Sequence, residues 1–451
     1  MQFGKSACLV RCNPRWKLLQ ASFTGMLIVL LAFTICPERV AGYSFLSHQN
    51  LIDVAWKQSI LPVLRERFPS STKAQLREAR AYAYGGATIQ DMGYYPFGHE
   101  FFSDLTHYVR AGDFVTNLLL NARTLDEYAF ALGALAHYVG DNNGHEYATN
   151  LSTPVEFPKL EKKFGPVVTY DQAPHAHIRT EFAYDVDQLS HGRFAPPGYL
   201  HSVGFKVPRA SLERAFVETY GVPLRSVLGR PRPAIKGYQS SVEHLLPRVA
   251  EAEVLIHPKD FPPDQNTPEF RAFLARQRQS DSENGWQKHG RKLDFQTHAL
   301  AFLIRITPKI GPGSVLSIRG PNAKTERWYI ASMNRSIAAY EKYLRELAKD
   351  PRKPLYLPNR DLDTGNPVRP GNYALTDQTY ARLLGKLTHN PKRPIPASLK
   401  KNVLAYYSAP QAPISTKKNP KKWKRVQQEL PILRHMQGIG SSDRHSTGAA
   451  I

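Results

Sequence analysis

The residues best suited to chemistry lie in Gly133-Ala-Leu-Ala-His-Tyr-Val-Gly-Asp-Asn-Asn-Gly-His145. His137 and Asp141 are four apart in a segment where Leu132, Leu135, Ala136 and Val139 recur at helical spacing, so both side chains leave one side of one turn. Two ligands placed this way reach one metal ion. His145, past Gly144, is expected on the loop after the helix, within reach of a second ion. The same spacing recurs at His177 and Glu181, in Pro174-His-Ala-His-Ile-Arg-Thr-Glu181. Imidazole nitrogens and carboxylate oxygens without thiolates suit a hydrolytic zinc centre, which must keep a position open for water. A single pair of this kind is more often a surface ion pair. Two pairs with a third histidine between them favour a metal centre.

The elements that must position these residues are helical. Segments such as His48 to Arg67, Leu125 to Val139, Leu293 to Ile306 and Thr325 to Leu347 carry apolar residues at three- and four-residue spacing, which predicts an all-α domain. Arg225 to Lys236, with Gly229, Pro231 and Pro233, breaks the pattern and is expected to be a surface loop.

Three regions follow from composition. Residues 1–42 pair a basic stretch (Arg11, Arg15, Lys17) with the apolar run Gly25 to Ile35 and read as a signal peptide, cleaved before Tyr43. The protein is then secreted or periplasmic, or membrane-anchored if the signal stays attached. All three cysteines, Cys8, Cys12 and Cys36, fall in this segment, so the mature chain has neither disulfide nor thiolate ligand. Residues 43–350 form the helical domain. Residues 351–451 read as a basic, Pro-rich extension with short helices at Tyr380–Leu387 and Trp423–Leu430. This extension holds 18 of the 60 Lys and Arg residues against 5 of the 38 Asp and Glu, within a chain of formal charge +22. It is either a solvated charge run or a tether to an anionic membrane surface, with Trp423 placed for the interface.

The stretch from Tyr43 to about Glu181 resembles the zinc-dependent phospholipase C family, whose fold is shared with the zinc-type single-strand nucleases. The resemblance implies a multi-helix domain holding three zinc ions. It implies that the amino group and carbonyl of a mature terminal Tyr43, with His48, hold one ion, although the family usually has Trp there. It further implies that Asp91, in Ala87-Thr-Ile-Gln-Asp-Met-Gly-Tyr-Tyr-Pro96, and His107, in Phe102-Ser-Asp-Leu-Thr-His-Tyr108, join His137 and Asp141 on a second ion. Asp141 would bridge the two, and His145, His177 and Glu181 would hold the third. The interval from Asp141 to His145 is shorter than the family's usual one. His107 is preferred over His99, and His177 over His175, on their contexts.

The implied activity is hydrolysis of a phosphodiester by metal-activated water, with Asp91 as proton acceptor and phospholipid as the leading substrate. Tyr94, Tyr95, His99 and Asp104 are candidate substrate contacts. Asp104 stands where relatives that cleave phosphatidylcholine carry an aromatic residue. A nuclease or nucleotidase of the same fold acting on nucleic acid, and a non-catalytic metal-stabilised membrane-binding module, are the alternatives. His191, His201, His244, His257, His289 and His298 are read as ordinary histidines lacking a carboxylate at ligand spacing.

Overall fold

A computed structural model describes residues 44–290, 294–308 and 318–440. The expected signal segment 1–42 and Tyr43 lie outside them. The described chain is almost wholly helical, with two-residue strands at Ile395–Pro396 and Gly438–Ile439 pairing in parallel. Among the described residues, no helix is long and apolar enough to cross a membrane.

The helices that position the site are labelled α1 (Phe45–Ala55), α2 (Lys73–Gly86), α3 (Glu100–Tyr108), α4 (Leu125–Gly144), α5 (Pro174–Ser190), α6 (Ala323–Lys349), α7 (Ala374–Thr388), α8 (Ala397–Tyr406) and α9 (Pro420–His435). Their starts are written locally. Thr72 and Gln75 form a capping box on α2, Thr124 Oγ1 accepts from Glu127 N at the head of α4, and Asn322 and Thr325 cap α6 reciprocally. Pro174 begins α5 and Pro420 begins α9, at positions where the missing N–H would have had no helical partner.

Helix α4 is the axis of the molecule, buried from Tyr128 through Asp141. It crosses α2 backbone to backbone. A β-carbon on Gly86 would stand 2.0 Å from the Phe130 carbonyl oxygen, and one on Gly133 2.1 Å from that of Ala83. These glycines set the helix separation and therefore the depth of His137 and Asp141. Helix α6 packs on another side of α4, where the Tyr340 hydroxyl donates to the Leu132 carbonyl at 2.9 Å.

Two expectations need correction. Arg225 to Lys236 is helical, comprising Leu224–Leu228 and the first part of Pro231–Ser240. Gly229, at φ +67°, ends the first helix, and Pro231 starts the second. The prolines thus mark a helix start that composition suggested was a loop. The segment from 351 is also not irregular throughout. Residues 351–373 are non-helical, but beyond them the helices expected at Tyr380–Leu387 and Trp423–Leu430 lie within the longer α7 and α9, α8 stands between them, and Leu355, Leu357, Leu362, Tyr380, Leu383 and Val403 enter the main hydrophobic core. Trp423 is partly buried against that core, with Tyr407 6.4 Å away and the Lys417 ammonium over its ring. It is therefore not presented as an insertion anchor.

Gly133→Ala separates two opposed effects. Helix propensity alone would favour it by about 1 kcal/mol, whereas forcing a methyl into the crossing costs about 1–3 kcal/mol. The expected result is a lower denaturant midpoint, and an unchanged or higher one would contradict the crossing described.

Candidate metal centre

Eight of the residues singled out by sequence meet in the interior: His48, Asp91, His107, His137, Asp141, His145, His177 and Glu181, each no more than 3% exposed. His48 comes from α1, Asp91 from the 3-10 turn Ile89–Tyr94, His107 from the end of α3, His137 and Asp141 from α4, and His177 and Glu181 from α5. His145 corrects an expectation. The helix does not stop at Gly144 but runs on through a π-helical turn, His145–Thr149, so His145 follows Asp141 by one turn of continuous helix. Gly144 keeps ordinary helical angles and is no terminator.

The α1 helix is pinned at its start. Asp185 accepts from Leu46 N at 2.7 Å, Ser47 N at 3.0 Å and Ser47 Oγ at 2.6 Å, tying down the first turn of the helix, where backbone donors have few helical partners. Burial pushes the Asp185 carboxyl up to about 7, against the pull of these donors. His48 then stacks on His137, ring centroids 4.2 Å apart. Gly140 makes room for it, since a β-carbon there would lie 2.9 Å from His48 Nδ1.

The ligand atoms fall into three groups. His48 Nε2 lies 3.2 Å from Asp141 Oδ1. Asp141 Oδ2 is 3.0 Å from His137 Nε2 and 3.3 Å from His107 Nε2, and His107 Nε2 is 3.4 Å from Asp91 Oδ1. Glu181 Oε1 lies 2.9 Å from His177 Nε2 and 3.1 Å from His145 Nε2. Donors about 2.0–2.2 Å from one tetrahedral ion stand roughly 3.3–3.6 Å apart; the two His107 spacings reach that range and the other four are slightly shorter, so a zinc-sized cation would need these side chains to open a little. His145 Nε2, His177 Nε2, Glu181 Oε1 and Asp91 Oδ1 are buried without a hydrogen bond of good geometry, which is the state of lone pairs aimed at a common point.

Tautomers follow from the partners. His107 Nδ1 faces the Ser103 carbonyl at 2.8 Å, His137 Nδ1 that of Ala87 at 3.1 Å, and His145 Nδ1 that of Leu362 at 2.8 Å. A carbonyl only accepts, so each Nδ1 carries the proton and each Nε2 keeps its lone pair for a ligand. Burial would raise the Asp141 carboxyl, but His137 and His145 outweigh it and hold it well below the usual range. Burial dominates at Asp91 and raises it, although His137 and His107 pull the other way. Three buried carboxylates facing imidazoles are an expensive arrangement unless cations compensate them.

The candidate substrate contacts divide. Tyr94 is at the site, its ring 6.3 Å from that of His107, beside the buried cluster Tyr108, Tyr170 and Tyr373. Tyr95 instead packs on Tyr238 in the main core. His99 caps α3, accepting from Phe101 N through Nδ1, and its Nε2 meets Arg382 at 3.3 Å. Asp104 lines a cavity of about 550 Å³ with Glu100, Arg382 and Lys386, and lies 3.9 Å from the Arg382 guanidinium. That cation comes from α7, far along the chain, so Asp104 already faces a positive charge supplied by the protein.

Sequence reading overlooked several features. His191 has Asp187 at 3.1 Å, His257 has Glu253 at 3.3 Å, and His201, Glu243 and His244 cluster at the surface, contrary to the expectation that these histidines lack a carboxylate. The acids at 187 and 253 precede their histidines by four residues, an order that a search running from histidine to acid passes over. Asp185 and Asp363 carry no local signal, because their partners lie far along the chain, and Asp361 shapes the loop that bears Asp363.

The model of the family described as zinc dependent phospholipase C matches residues 47–229, which contain every one of the eight converging residues. Comparison with curated proteins and with solved structures gives no match.

Asp141→Asn replaces one of two shared oxygens with an amide nitrogen that has no lone pair for a cation. The expected result is loss of bound zinc from the His48 and His107–His137 groups, measured by elemental analysis of the purified variant. Full metal content would contradict the bridging position.

Proposed function

We propose, from the premise that residues 47–229 belong to the zinc-dependent phospholipase C family, that this chain is a hydrolase cleaving phospholipid on the glycerol side of its phosphodiester. The observation that carries the reading is the convergence of eight buried nitrogen and oxygen ligand residues into three groups, of which His48–His137–Asp141 and Asp91–His107–His137 share His137, while the Asp141 oxygens lie 3.0–3.3 Å from His48, His107 and His137. Three zinc ions fit these groups. Asp141 joins the His48 group to the Asp91–His107–His137 group, and His145, His177 and Glu181 form the third.

Bound zinc would supply a water whose pKa is lowered to roughly 7, and a positive field for phosphoryl oxygens. The chain's residues do the rest. Asp91, at the edge of its group and raised by burial, takes the proton of the attacking water as the new O–P bond forms. The proton then passes to the glycerol oxygen as its bond to phosphorus breaks, leaving diacylglycerol and a phosphorylated headgroup. The Nδ1–H bonds of His107, His137 and His145 to fixed carbonyls keep the ligand nitrogens from reorienting during this change. Tyr94, beside His107, is the nominated contact best placed to touch substrate.

An anionic lipid surface suits the exposed face of α9, where Lys421, Lys422, Lys424 and Arg425 lie together. Export through residues 1–42, with Tyr43 as the mature terminus, belongs to the same reading. Ser44, the N-cap residue of α1, precedes His48 by four residues.

The test uses zinc-loaded protein whose chain begins at Tyr43, on phosphatidylcholine vesicles and on single-stranded DNA. Headgroup release from vesicles without DNA cleavage is expected, and Asp91→Asn is expected to lower turnover at least about 100-fold, the scale of a lost general base. Cleavage of DNA alone would establish the nuclease reading, and no activity in the loaded protein would establish the binding module.

A further inference from the structure

The family-matched residues end at 229, yet the backbone of Asp361-Leu362-Asp363 touches two of the converging histidine positions. Leu362 N donates to the His107 carbonyl at 3.1 Å, and the Leu362 carbonyl accepts from His145 Nδ1 at 2.8 Å. One residue later, the Asp363 carbonyl accepts from Asn150 Nδ2 at 2.7 Å. The strap therefore grips the end of α3 and the π-helical turn after α4 at once.

Its shape is built for that place. Asp361 Oδ1 accepts from the backbone N–H groups of Asp363 and Thr364, its Oδ2 accepts from Thr376 Oγ1, and Arg360 pairs with Pro367 to close the loop. Gly365, at φ +70°, lies so near Glu146 and Asn142 that a β-carbon would stand 2.6 Å from Glu146 Oε2. The loop is seated against the helix that carries His145, not merely laid over it.

Asp363 is fully buried and split in function. Its Oδ2 accepts from the Tyr373 hydroxyl at 2.6 Å and the Tyr108 hydroxyl at 2.9 Å, which fixes the carboxylate plane. Its Oδ1 has no hydrogen-bond partner and lies 3.7 Å from His145 Nδ1. A buried carboxylate oxygen without a donor costs stability, and here it faces the protonated nitrogen of a ring whose other nitrogen points at Glu181. A carboxylate on that side of a ligating imidazole orients the ring and makes its free nitrogen a stronger donor.

We propose that Asp363 is a positioning residue for the His145–His177–Glu181 group, and that the strap around it is an outer layer of the metal centre supplied from outside the family-matched region. The proposal rests on the reading of that group as a zinc site. Leu362 sets the His145 tautomer through its carbonyl, Asp363 adds negative charge behind the ring, and Tyr108 and Tyr373 hold Asp363 in place. The strap belongs to the segment whose composition reads as a basic, Pro-rich extension.

The test measures zinc affinity by chelator competition and unfolding temperature of the metal-free protein, on full-length Asp363→Asn, Asp363→Glu and Tyr373→Phe. Asp363→Asn is expected to weaken one zinc by about 10–100-fold, the scale of an outer-layer partner, while the metal-free protein unfolds no earlier than the parent. Tyr373→Phe is expected to weaken the same zinc less, and Asp363→Glu to recover part of the loss. Parental affinity in Asp363→Asn overturns the proposal, as does a fall in metal-free stability that accounts for the whole loss. A parent chain that binds no zinc overturns the proposed function with it, whereas a zinc-binding, lipid-cleaving parent with an unaffected variant overturns this proposal alone.

Discussion

Asp141 is a fully buried carboxylate in the last turn of α4, whose buried part before it is rich in alanine, leucine and aromatic residues. Such a charge is tolerated only if its surroundings compensate it, since an unpaired carboxylate in the interior costs several kcal/mol or takes up a proton. The compensation radiates outward. His48, His107 and His137 face its two oxygens, each imidazole is turned by a carbonyl or packed against another ring, and the helices bearing them are held by caps, glycine crossings and the Asp185 clasp. Moving α1, α2 or α3 by an ångström would leave one of these groups facing nothing. The helix crossing at Gly86 and Gly133 and the geometry of the centre are for that reason one constraint.

Much of this was legible in the sequence because helical periodicity converts spacing into direction. His137 with Asp141, and His177 with Glu181, are pairs on one helix face, and the fold leaves each pair as the spacing sets it. His48, Asp91 and His107 lie on separate elements, so no local rule joins them. They were found through the family resemblance, and residues 47–229 do match that family. Gly144 was misread because a glycine after a helical run usually ends it, whereas here Asn142 and Asn143 bond back to Tyr138 and Val139 and the turn widens without breaking.

The C-terminal region was the largest gap. Its prolines and cations suggested a solvated tail, but Pro420 heads a helix, Leu362 and Tyr380 are core residues, and Arg382 neutralises Asp104 from across the fold. Composition reports average polarity and does not say which few residues face inward. Leu362 and Asp363 illustrate the limit, because their importance arises from contacts with positions more than two hundred residues earlier.

Zinc analysis of the protein, purified without chelator, reads the metal content on which the buried carboxylates depend. Three zinc ions per chain, with catalytic activity lost on chelation and restored by zinc, is the result this account requires. A chain that carries no zinc and still hydrolyses phospholipid at an undiminished rate would contradict it.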